Sequence, residues 1–181
     1  MILLDPDLEP HPAPKATSVK RTAASGKYLR LPSARTLARF LAEAQKILRL
    51  HGQVTVLLTT DAAIRKLNRQ FRGNDKATDV LSFPAEGSFP AEGSFPAKGI
   101  GAEKIAGDMA ISVPTALHQA IEQNHSLSTE IKILILHGLL HLAGHDHESD
   151  SGKMARRERQ LRAKLNLPQG LIERAAKVKK I

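Results

Sequence analysis

The chain has 181 residues, no cysteine, 3% aromatic residues and a formal net charge of +9. That length suits one domain with trimmings and a buried core. The missing cysteines exclude disulfides and a thiolate metal site and fit a reducing compartment. No apolar run approaches the length that crosses a bilayer, and the first residues lack the basic start of a secretory signal, so a soluble, cytoplasmic protein is expected.

In chain order, residues 1–4 read as a short strand. Pro6, Pro10, Pro12 and Pro14 forbid regular structure after it, and the stretch to Lys27 reads as a loose loop. A helix is predicted from Ser33 to Leu50, capped by Ser33, striped by Leu37, Leu41, Ala44 and Leu48, and ended by Gly52. Residues 54–58 read as a buried strand. Asp61 is expected to cap a helix carrying Ile64, Leu67 and Phe71, which Gly73 closes. Residues 79–83 form the next strand, stopped at Pro84.

A hexapeptide then occurs three times, at 82–87, 88–93 and 94–99. Solenoid units need about 20 residues or more, so this reads as a surface loop expanded by short duplication. Another strand is expected over 106–113, and Pro114 suits the first turn of a helix running to Asn124. From Thr129 to Ala143 apolar residues lie all round the helix, the mark of a buried central element. A last amphipathic helix spans 151–166 and ends before Pro168. The mixture indicates an α/β (α+β mixed) fold, a small mixed sheet packed by helices. The chain divides into an N-terminal strand and Pro-rich loop (1–32), one catalytic domain (33–167) and a basic tail (168–181).

Charge is unevenly placed. Residues 15–50 and 151–181 each carry a net +8, leaving −7 for the remainder. Two basic flanks suit a polyanion, since each neutralised phosphate releases counterions; a solvated basic surface explains the same counts. With so few aromatic residues, base stacking is a poor source of affinity, and charge has to supply it.

The chemistry is concentrated in residues 137–147, which hold four of the eight histidines. His137 and His141 are one helical turn apart and so share a face. Gly144 can stop the helix in a left-handed turn, which lets the chain fold back and present His147. Three imidazoles meeting at a point hold a zinc ion with one position open. The spacing matches the zincin-like pattern H-E-x-x-H-x-x-G-x-x-H, but Gly138 stands where those proteases carry their general base. Peptide cleavage is therefore disfavoured, and phosphodiester cleavage, which depends on charge stabilisation at phosphoryl oxygens, suits the site better. Asp146 is a candidate to orient a ligand imidazole or to cap the turn. His145 is either a surface residue or a substrate contact.

Residues 137–147 resemble the H-G-x-L-H-L-x-G-Y-D-H signature of the YbeY family of bacterial rRNA maturation factors. Residues 67–84 resemble its L-N-x-x-[YF]-R-G-x-D-x-x-T-D-V-L-S-F-P block, and residues 107–112 its G-D-I-x-I-S strand. The chain departs from the family at His145, Asn74 and Ala77. The resemblance implies one zinc ion held by His137, His141 and His147, and a functional arginine at Arg72. The arginine is expected either to face phosphate or to bond nearby carbonyls at its helix end. It further implies a single-strand-specific endoribonuclease that matures the 3′ end of 16S rRNA, with rRNA or a ribosomal subunit as partner and neither membrane nor DNA. A ribosome-assembly protein with a structural zinc, and a metal-dependent hydrolase of another substrate, are the alternatives.

Overall fold

The computed structural model describes residues 1–8, 31–85, 104–146, 150–168 and 171. Most of the Pro-rich loop, the hexapeptide repeats from residue 86 onward, His147 and most of the basic tail lie outside the described residues.

Four strands and five helices are present among them: β1 (Ile2–Leu4), α1 (Ala34–Leu48), β2 (Gln53–Thr59), α2 (Asp61–Arg72), β3 (Val80–Pro84), β4 (Ile105–Ser112), α3 (Val113–Glu122), α4 (Leu127–Leu142) and α5 (Lys153–Lys164). The sheet order is β1-β2-β4-β3. β1 and β4 run parallel to β2, while β3 pairs antiparallel with β4, so the expected mixed sheet is observed and β3 forms one of its edges.

Alternation along the strands divides the sheet into two faces. Val54, Val56 and Leu58 of β2 and Met109 and Ile111 of β4 join the main core with α1, α4 and α5. Ile64 of α2 packs on Leu81 and Ala110 in a smaller cluster. As its all-round apolar pattern predicts, α4 is the buried central helix, with Ile131 and 133–136 fully enclosed. Each such Leu or Ile contributes about 1.5–3 kcal/mol through burial.

Several boundaries differ from expectation, each for a local reason. Arg49, with φ of 60°, closes α1 before Gly52 is reached, its N–H bonding back into the last turn. Thr60, not Asp61, caps α2 by accepting from the Ala63 N–H. Asp61 instead accepts hydrogen bonds from the Ser112 and Thr115 hydroxyls, which ties α2 to the start of α3. Ser126 caps α4, which begins at Leu127, two residues before the predicted start. β3 runs one residue beyond the predicted strand end, to Pro84.

Gly107 marks a bulge in β4. The register against β2 slips between Gln53 and Val54, and Gly107 takes φ of 145°. A methyl group there would stand 2.5 Å from the Phe83 carbonyl oxygen and 2.8 Å from Leu142 Cδ2. Gly107→Ala is therefore expected to cost about 2 kcal/mol or more, seen as a thermal midpoint lower by roughly 5–10 °C. An unchanged midpoint would show that the bulge tolerates a side chain.

Candidate metal centre

The C-terminal half of α4 carries the site. His137 and His141 face each other across one turn, their Nε2 atoms 3.1 Å apart and their ring planes inclined by 74°. Two nitrogens held about 2.0–2.1 Å from one tetrahedral zinc ion stand about 3.3 Å apart. The observed spacing fits that arrangement.

His137 is only 4% exposed, so its second nitrogen needs a partner inside the protein. Glu158 on α5 supplies it, with Oε1 3.3 Å from His137 Nδ1. Glu158 is itself 1% exposed. A carboxylate accepting from Nδ1–H fixes the ring's orientation and leaves Nε2 to present its lone pair.

α4 ends as the glycine requires. Gly144 adopts φ of 87°; its N–H bonds to the His141 carbonyl at 2.9 Å, and the His145 N–H reaches back to Leu140 at 3.0 Å. This is a complete Schellman motif. It turns the chain so that Asp146 lines the same cavity as the two imidazoles. His145 is half-buried and is not among the residues that line that cavity.

The cavity measures about 380 Å³, and Arg72, Asp79 and Ser82 form its opposite wall. Arg72 is the last residue of α2, placed by a well-defined turn. Gly73 closes the helix with φ of 66°, and the buried Asn68 amide donates to the Lys76 carbonyl at 2.8 Å. The Arg72 guanidinium donates to the Ser82 carbonyl on the edge strand at 3.1 Å. The side chain thus bonds a carbonyl and also lines the cavity. Asp79 is structural in its bonding: its carboxylate accepts from the Val80 N–H, the Thr78 hydroxyl and the Gln119 amide.

Among the described residues, no group of three His, Cys, Asp or Glu side chains could hold a metal ion. His147, the expected third ligand, lies outside them.

Gly138 explains why the protease base is absent. A Cβ there would stand 3.0 Å from Ser82 Oγ and 3.2 Å from both Met109 Sδ and Cε. The position faces the sheet, and a carboxylate there would have to displace Ser82 and Met109. Ser82 Oγ lies 3.4 Å from the Gly138 carbonyl at this contact.

Sequence reasoning missed Glu158. A signal was present: Met154, Glu158, Leu161 and Arg162 are the buried residues of α5, at i, i+4, i+7 and i+8, and a buried acid needs a partner.

The sequence model of a family described as "Endoribonuclease YbeY" matches residues 25–166. Curated relatives named endoribonuclease YbeY include one from Koribacter versatilis, 50% identical over 80% of this chain and 86% of its own. Another, from Solibacter usitatus, is 47% identical over 76% and 83%. A Thermotoga maritima protein of known solution structure is 27% identical, with a TM-score of 0.48 over 75% of this chain and 85% of that one.

Gly138→Glu is expected to destabilise the protein by roughly 3 kcal/mol or more, because it buries a carboxylate against Met109 and Ser82. Circular dichroism should show loss of the cooperative thermal transition. A stably folded variant that cleaved peptides would instead place residue 138 in the cavity.

Proposed function

The chain belongs to the YbeY endoribonuclease family, and on that premise we propose that it is a zinc-dependent endoribonuclease acting on single-stranded regions of rRNA precursors in the cytoplasm. The observation that carries this reading is the pair of imidazole nitrogens 3.1 Å apart beside an arginine-walled cavity. His137, His141 and His147 would hold the ion. Zinc in such a setting supplies Lewis acidity, bringing the pKa of water to about 7 and drawing charge from a phosphoryl oxygen.

The chain's own residues account for the rest of the reaction. Glu158 holds the His137 ring so that Nε2 stays directed at His141. Arg72 keeps one N–H on Ser82, which fixes the guanidinium plane, and its other donors can take phosphate oxygens as charge develops. Asp79 is committed to the wall of the cavity. Asp146 is the other carboxylate among the described lining residues, and its exposed position suits exchange of protons with water. The 16S rRNA precursor near its 3′ end is the proposed physiological substrate, encountered on a ribosomal subunit.

Purified protein should contain about one zinc per chain and nick single-stranded RNA, and a chelator should abolish the nicking. His141→Ala should lose the metal, measured by elemental analysis, and the activity with it. Arg72→Glu should retain metal while cutting roughly 100-fold more slowly. Metal-replete protein that leaves precursor 16S rRNA intact, with His141→Ala behaving identically, would defeat the enzyme reading.

Glu158→Leu should weaken zinc binding about 10- to 100-fold in competition with a chromophoric chelator. Glu158→Gln, which keeps an acceptor oxygen, should recover much of that loss. Equal affinity in wild type and Glu158→Leu would make the 3.3 Å contact irrelevant to the metal.

A further inference from the structure

Phe71 is the one aromatic residue among the exposed large hydrophobics of the described residues, with 56% of its surface in solvent. It packs edge-on against Phe83, ring centroids 5.1 Å apart and planes at 66°. Phe83 is half-buried and belongs to β3. The exposed ring is therefore held by a partner rooted in the sheet, and it keeps apolar surface open to solvent.

Its neighbours are as informative as its exposure. The next residue, Arg72, bonds Ser82, and Ser82 precedes Phe83. Guanidinium and aromatic pair thus sit within one residue of each other along the same edge strand. Arg65, Lys66 and Arg69 are exposed on the same helix. Arg65 is engaged by Asp75 through a two-pronged contact at 2.7 and 2.8 Å, which holds the Asp75 carboxyl below its usual range. Neither Lys66 nor Arg69 makes a salt bridge among the described residues, although Arg69 also acts on Asp75 at longer range. A cationic helix that ends in an exposed aromatic ring, and then in an arginine lining a cavity, combines the two elements that bind single strands: charge for the backbone and a π-face for a base.

We propose that Phe71, backed by Phe83, is a nucleobase-stacking subsite that holds one unpaired base of an RNA strand while Arg72 takes its phosphate at the cavity. The inference rests on the ribonuclease reading and adds a physical origin for strand selection. A base inside a duplex is already stacked and cannot lie on the ring, so the subsite favours unpaired RNA. It runs against the expectation that base stacking is a poor source of affinity in this chain, because two of its few aromatic residues are gathered at the edge strand beside Arg72.

The test measures fluorescence anisotropy of the full chain with three probes: a short single-stranded RNA, the same strand with abasic positions, and a duplex. Phe71→Ala should weaken binding of the single strand roughly 5- to 150-fold and leave the abasic strand and the duplex unchanged. Phe71→Trp should bind the single strand at least as well as wild type. Arg69→Gln should weaken all three probes and reduce the salt slope by about one. Should Phe71→Ala lower the thermal midpoint, Phe71→Leu keeps apolar bulk without a π-face and should show the same selective loss.

Single-strand affinity unchanged in both Phe71→Ala and Phe71→Leu overturns the subsite while the ribonuclease reading stands. So does an equal loss on base-bearing and abasic strands. Unchanged RNA affinity with lost ribosome association would identify the ring as a protein contact and overturns it equally. Wild-type protein that binds none of the probes sinks the ribonuclease reading itself, and the subsite with it.

Discussion

The close approach of α4 to the sheet is the constraint on which the rest of this molecule depends. At Gly138 the helix comes so near β3 and β4 that even a methyl group would press on Ser82 and Met109. Gly107 answers from the sheet side, where a bulged strand leaves room for Leu142. Neither glycine touches the cavity chemistry. Together they set how far the two histidines stand from the edge strand, and so whether Arg72 can share a cavity with them. Packing at interior density makes this distance stiff, because a core has little slack to redistribute.

Around that contact the site is assembled from elements distant in sequence. α4 contributes the two imidazoles. α5 contributes the carboxylate behind one of them. α2 lies against Leu81 and Ala110, yet its last residue bonds the edge strand and lines the cavity. The edge of a sheet ordinarily leaves backbone groups unpaired. Here one of them, the Ser82 carbonyl, anchors the arginine. The exposed position of β3 is thus put to use, and its neighbour Phe83 braces the exposed Phe71 ring.

The charge distribution fits the proposed chemistry without defining it. Cations along α2 would raise the local concentration of a polyanion and guide it, whereas the cavity itself contains acids as well as a base. Affinity and catalysis are thereby separable. A strand can be gathered by surface charge, and cut only where the histidine pair and the arginine meet. The net positive charge lies in the two flanks, and about half of their charge falls outside the described residues, so the described surface accounts for only part of the attraction.

Local signals were legible from the sequence alone. The i, i+4 histidines, the glycine stop after them, the apolar central helix and the mixed strand and helix order each follow from periodicity and backbone preference, which act over a few residues. The Schellman turn at Gly144 is of this kind. Caps moved by one to three residues, to Thr60, Arg49 and Ser126. The tertiary structure decided what depends on long-range approach. It set Glu158 behind His137, across 21 positions in the chain. It turned Gly138 toward the sheet and brought Phe71 onto Phe83. No local preference encodes such meetings, since they arise only when separate elements bury their apolar faces against one another and the side chains between them must share what space remains.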